Sequence, residues 1–290
     1  MDAVVVMLVV VSAALHPIWN LLLKDNPRPE TVFLTVLSMT VTLGAIHVLV
    51  VGHDFGAVLN AWPLILISGV SVALHGFMLV LALERGDLSV YYPVVRSAPI
   101  GVVAIGFVFL GQSFAPMLLI GIALVVGGAF ALQHRAGARL LSDPLTLTYA
   151  VLAMLASAVY SVVDARAVVH MPPVIVFFWQ SLVALPLYLT LLAVRRRRSG
   201  KRLTHGLVAD WKNRARQQLA AGSLAYISYL LILWAYEHGG DVAAVTSVRQ
   251  ASIPLSVIGG ALLLRERDLG RRLLFAGVLT VGILMVVNVG

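Results

Sequence analysis

Cysteine is absent from all 290 residues, which excludes disulfides, thiolate metal sites and thiol nucleophiles together. Charge is scarce: 12% of residues are Asp, Glu, Lys or Arg, against 60% hydrophobic residues and a mean hydropathy of +0.96, a balance foreign to soluble domains. No P-loop is present to cradle nucleotide phosphates, the eight histidines never fall at helical ligand spacing with a carboxylate, and no Ser-His-Asp set is suggested. The chain is therefore not expected to be an enzyme or to hold a cofactor or metal, and any pumping must draw on a gradient. A soluble domain is missing too, because the longest connection, residues 195–218, is too short and too basic to form a core.

What is present is apolar sequence in runs of about 20 residues, the length an α-helix needs to cross a hydrocarbon layer about 30 Å thick. Ten such runs lie near 3–23, 31–52, 62–83, 89–111, 115–132, 145–168, 174–194, 219–237, 242–264 and 272–289. Their length and their Leu, Val and Ala content, without period-two alternation, predict helices and not barrel strands. The fold class is an all-α integral membrane protein. The first run lacks the basic preceding region and cleavage site of a signal peptide and reads as a permanent helix.

Lys and Arg sort by side. Eighteen of the 21 follow odd-numbered runs, from Lys24 and Arg28 through Arg85, Arg135 and Arg139 and the nine of the long loop to Arg265, Arg267, Arg271 and Arg272. By the positive-inside rule those connections are cytoplasmic and both termini face out. The formal charge of +8 then records topology, and no nucleic-acid partner is expected.

The chain also repeats itself. ALERGDLS at Ala82–Ser89 is echoed by AYEHGGDVA at Ala235–Ala243, and VVRSAPIGVVAIGFVFL from Val94 lies against SVRQASIPLSVIGGALL from Ser247, so Arg96 matches Arg249. His16, Trp19 and Asn20 in the first run correspond at one offset to Ser157, Tyr160 and Ser161 in the sixth, each set on one helical face. Two five-helix units result, 1–132 and 145–290, joined by a cytoplasmic linker at 133–144. An odd number of spans inverts the second unit, and inverted repeats place a transporter's site near mid-membrane between the halves.

The pattern HPIWNLLLK, ALERGDLSVYYPVVRSAP, its match AYEHGGDVAAVTSVRQAS, and five helices doubled to ten resemble the drug/metabolite transporter superfamily, specifically its EamA-type members. The resemblance implies a secondary carrier of small metabolites, often an amino-acid exporter, with a cavity lined by helices 1, 3, 4, 6, 8 and 9. Small four-helix relatives carry a cation-binding glutamate eight residues before a lysine, where this chain has His16 before Lys24. That departure disfavours cationic drugs and favours anions and zwitterions.

Arg96 lies nine residues beyond Asp87 and Arg249 eight beyond Asp241, so they sit roughly 13 Å and 12 Å deep from opposite sides, about 5 Å apart in depth. A guanidinium there needs a partner. Three readings stand open: a clamp on a carboxylate or phosphate, permanent pairing with Glu84, Asp87, Glu237 or Asp241, and a gate that pairs in one transport state. His16 or His75 could carry a coupling proton. Tyr92, one turn before Arg96, Tyr229, Tyr160 and Gln250 beside Arg249 complete the candidate site with Trp19 and Asn20. Trp179 and Gln180 fall in a peripheral helix, Asp164 and Arg166 read as a pair at the outer rim, and Tyr91, Trp62 and Trp211 as interfacial belt residues.

The expected protein is a multi-pass secondary transporter of a bacterial inner membrane, monomer or homodimer, in contact with lipid. It would move an amino acid or related carboxylate by alternating access. A phosphorylated-metabolite exchanger and a membrane receptor or assembly protein that transports nothing are the alternatives.

Overall fold

A computed structural model describes residues 1–23, 28–85, 88–133, 142–200, 207–255 and 269–289, with the side chains of 20, 21, 23, 88, 89, 133, 207–212 and 269 outside the description. Among the described residues 90% are helical and none forms a strand. The helices are α1 (Ala3–Leu23), α2 (Pro29–Val51), α3 (Trp62–Arg85), α4 (Leu88–Arg96), α5 (Ala98–Leu110), α6 (Pro116–Gln133), α7 (Pro144–Ala167), α8 (Pro173–Arg198), α9 (Leu207–Glu237), α10 (Val242–Val248) and α11 (Leu269–Val289). A 3₁₀ turn, Phe55–Asn60, precedes α3, and another, Arg249–Ala251, follows α10.

Seven stretches among the described residues are long and apolar enough to cross a membrane: α2, α3, α4 with α5, α7, α8, most of α9, and α11. The bundle turns large apolar side chains outward, with Phe107, Phe109 and Val50 at 70%, 78% and 79% exposure. In water such a surface would aggregate, whereas in hydrocarbon it costs nothing.

Two expectations change. The fourth apolar run is not one helix, because it breaks at Ser97 between α4 and α5. Pro99 has no N–H for the carbonyl of Val95, and the amide of Ile100 bonds back to Ser97 O at 3.0 Å, which strands the carbonyl of Arg96. The basic stretch 195–218 is also not simply a loop. The four arginines 195–198 close α8, where cations complement the negative end of the helix dipole, and helix resumes at Leu207 with a kink at Arg214 (φ −134°, ψ 19°).

Between helices, small residues allow close approach. A Cβ on Gly282 of α11 would lie 2.7 Å from the carbonyl oxygen of Gly121 in α6, so those backbones nearly touch. Ser12 of α1 donates to Ser228 O at 2.6 Å, and Ser228 of α9 donates to Ser12 O at 3.0 Å. At one end of the bundle, Arg196 pairs with Glu30 at 3.1 Å, Arg195 pairs with Glu84, and the Tyr188 hydroxyl donates to Glu30 O at 3.2 Å. At the linker, Asp143 caps α7 and lies 3.6 Å from Arg85. The amino group of Met1 donates to Val287 O at 2.8 Å, so both ends of the chain meet on one face.

Candidate functional site

Between these helices lies a cavity of about 320 Å³, at the small end of ligand pockets, which run to about 1,000 Å³. Nine of the ten sequence-derived residues line it: His16 and Trp19 from α1, His75 from α3, Tyr92 and Arg96 from α4, Tyr160 from α7, Tyr229 from α9, and Arg249 and Gln250 from the 3₁₀ turn. The tenth, Asn20, has its side chain outside the described residues. Helices α2 and α8 contribute as well, through Phe33 and Gln180.

Each of the three guanidinium nitrogens of Arg96 meets a neutral group. Its Nε donates to Gln250 Oε1 at 3.0 Å, Nη2 to Ser252 Oγ at 2.6 Å, and Nη1 to His16 Nε2 at 2.9 Å. Because a guanidinium has no acceptor, His16 must present a bare Nε2, and its proton sits on Nδ1, which is buried without a partner. Gln250 answers in kind: its Nε2 donates to the stranded carbonyl of Arg96 at 3.0 Å. One side chain thus satisfies both the arginine and the backbone that the helix break leaves open, as broken membrane helices require.

Arg249 is placed differently. Its Nε is buried with no hydrogen-bond partner, and its guanidinium carbon lies 5.2 Å from the centre of the Tyr229 ring. The ring face offers a cation–π contact, but no lone pair for the fork. Among the described residues no ion pair involves either arginine. Of the carboxylates expected to pair with Arg96 or Arg249, Glu84 holds Arg195, Asp241 caps α10 by accepting from Ala244 N at 2.8 Å, and Asp87 lies outside the described residues.

Aromatic rings line the cavity in two sets. His16 meets Trp19 edge-on at 4.9 Å, Tyr160 meets His75 at 5.7 Å and Tyr229 at 6.0 Å, and Phe177 of α8 tilts against Tyr229 at 5.1 Å. His75 Nδ1 donates to Ala153 O at 2.8 Å, and Ser157 donates to the Tyr160 hydroxyl at 3.0 Å.

Two sequence readings are corrected. Asp164 does not pair with Arg166 at a rim; it is fully buried and takes hydrogen bonds from Ser68 Oγ at 2.5 Å and Tyr229 Oη at 2.6 Å. Gln180 is not peripheral: 1% exposed, it sets its amide nitrogen 3.0 and 3.1 Å from the two carboxylate oxygens once the amide is turned to donate. Trp179 does face away, donating to Phe55 O at 3.0 Å. No sequence spacing links Ser68, Asp164, Gln180 and Tyr229, which come from four helices. The available signal was the acid itself, set one turn beyond Tyr160 and Ser161 on a helix already chosen for the cavity.

A model of the EamA-like transporter family matches residues 144–288, half of the chain. No curated protein matches by sequence. A crystal structure of a protein 15% identical superimposes with a TM-score of 0.77 over 97% of this chain and 94% of the other, which shows a shared fold.

Proposed function

Since the chain belongs to the EamA-like transporter family, and is thereby a multi-pass membrane transporter of the drug/metabolite type, we propose that it is a secondary carrier of a small anionic or zwitterionic metabolite. Amino acids and related carboxylates are the leading class, with export across the bacterial inner membrane as the direction. The observation that carries this reading is the pair of guanidinium groups, Arg96 and Arg249, on one small cavity with no carboxylate against either among the described residues. A buried cation without an anion is costly in a membrane, and a bound carboxylate removes that cost.

The two arginines divide the work. Arg249, with its unpaired Nε, grips the acid group of the solute, and Arg96 anchors Gln250 beside it. A phosphorylated metabolite is the second reading, favoured because two cations suit a dianion. The ten-span, outward-termini topology, with inverted units 1–132 and 145–290 about a cytoplasmic linker, is the frame in which alternating access proceeds. It is supported by the matched helix interruptions at Ser97 and Arg249 and by the meeting of Met1 with Val287. The cavity reaches Pro29, Phe33 and Leu83, towards the end that carries Arg28, Arg85 and Arg195, which suits loading from the cytoplasm.

Binding is tested by thermal unfolding of the purified protein against amino acids, dicarboxylates and phosphorylated metabolites. An anion that stabilises the parent and leaves Arg249→Gln unmoved supports the clamp. If no solute in any of these classes shifts the parent, or if Arg249→Gln shifts equally, the anion-carrier reading is wrong and the chain is better regarded as a receptor or assembly protein.

A further inference from the structure

Asp164 is fully buried, yet no cation pairs with it among the described residues, and its hydrogen bonds come from neutral donors on three other helices. The groups that face it are Tyr160 on α7, Ser68 from α3 with His75 beyond Tyr160, Gln180 from α8, Tyr229 and Tyr236 from α9, and Arg249 across the Tyr229 ring, while Arg166 two residues on is exposed on the other side of α7. Tyr229 therefore touches both charges: its hydroxyl donates to Asp164 and its ring face carries Arg249.

We propose that Asp164 is the transporter's proton-binding site, and that Tyr229 links it to Arg249 so that a proton and an anion occupy the cavity together, export then running on the solute's own outward gradient and carrying the proton with it. The second half rests on the anion-carrier reading above. An ionised Asp164 polarises the Tyr229 O–H and enriches its ring, which strengthens the hold on the guanidinium. When a proton from water adds to one carboxylate oxygen, a single O–H bond forms and the acid becomes a donor. Tyr229 loses its anionic acceptor, and Arg249 loses its counter-charge across the ring. The net charge of Arg96, Arg249 and Asp164 rises from one positive to two, and the freed guanidinium takes the solute's acid group.

The histidines suit this role less well. Nε2 of His16 is occupied by a donor from Arg96, and a proton on His75 would add a third cation to a cavity that already holds two. A proton on Asp164 instead removes a buried anion.

Infrared difference spectra of the full-length protein in lipid nanodiscs, between about pH 5 and about pH 9, read the C=O stretch of a protonated carboxyl directly. The parent should show a band that grows on the acid side, vanishes in Asp164→Asn and changes frequency in Tyr229→Phe. Absence of a titrating band in the parent, or its persistence in Asp164→Asn, overturns the assignment. If Asp164→Asn does not fold, Ser68→Ala and Tyr229→Phe keep the carboxyl, and a band indifferent to both is equally fatal. Arg249→Gln should displace the titration by about one pH unit, and an unmoved titration severs the proposed link. No transported solute enters this measurement, so it succeeds or fails separately from the anion-carrier reading.

Discussion

Replacing Gln250 by Met keeps the volume of a buried side chain but removes two hydrogen bonds at 3.0 Å, one from the Arg96 guanidinium and one to the Arg96 carbonyl. A hydrogen bond to a charged group contributes about 1.5–3 kcal/mol and an orphaned buried carbonyl costs about 1–3 kcal/mol, although membrane hydrogen bonds average nearer 0.6 kcal/mol. The carbonyl has no fallback, because Ile100 N is committed to Ser97 O and Pro99 has no N–H. The expected loss is therefore about 2–4 kcal/mol, measured as equilibrium unfolding in mixed micelles. Arg96→Met should cost a similar amount, since Gln250 keeps its bond to the backbone while three guanidinium contacts vanish. Because the two side chains form one unit, the double variant should cost clearly less than the sum, by about 1 kcal/mol or more. Additive losses, or a Gln250→Met cost below about 0.5 kcal/mol, would refute the view that Gln250 repairs the helix break.

Further outcomes follow from other parts of the bundle. Gly282→Ala should lower stability by about 1–3 kcal/mol, because the new Cβ meets the Gly121 backbone oxygen at 2.7 Å; an unchanged unfolding curve would show that α6 and α11 are not so closely packed. The side-chain hydrogen bond from Thr146, then its backbone N–H and the charge of Arg85, hold the Asp143 carboxyl below its usual value of 3.8. Its contribution is thus complete above that pH and lost as acid protonates the folded state. Asp143→Asn, which still caps the helix, should unfold like the parent near neutrality and lose part of the parent's acid sensitivity below about pH 4. With no native cysteine to interfere, Gly56→Cys should react with an impermeant maleimide outside intact cells and Ser142→Cys should not. The reverse pattern would invert the topology.

The place of Arg96 on the cavity was readable because a charge inside an apolar run has few explanations, and its echo at Arg249 doubled the signal. The partners of Arg96 were not readable. Gln250 becomes one only after a proline two residues past Ser97 breaks the helix and strands a carbonyl, an event of backbone geometry. Asp164 was misplaced for a related reason: along the sequence its nearest opposite charge is Arg166, but residues two apart point to different sides of a helix, and the structure turns Asp164 inward. Membrane segments were legible from composition, while the helical course of 195–198 and 207–218 was hidden by charge, which argues against burial and not against helix. The gathering of Ser68, Gln180 and Tyr229 about one carboxylate depends on which helices neighbour α7, and a single sequence carries no such information.

The central claim is that Arg249 meets a transported anion in the cavity between the helices. It is tested most directly by counterflow in proteoliposomes loaded with the anion that best stabilises the parent protein. Parent, Arg249→Gln and Arg249→Lys are compared at equal reconstitution. The account predicts rapid exchange in the parent, near-background exchange in Arg249→Gln and partial exchange in Arg249→Lys, whose point charge cannot reproduce the planar fork. Equal exchange by the parent and Arg249→Gln would contradict it.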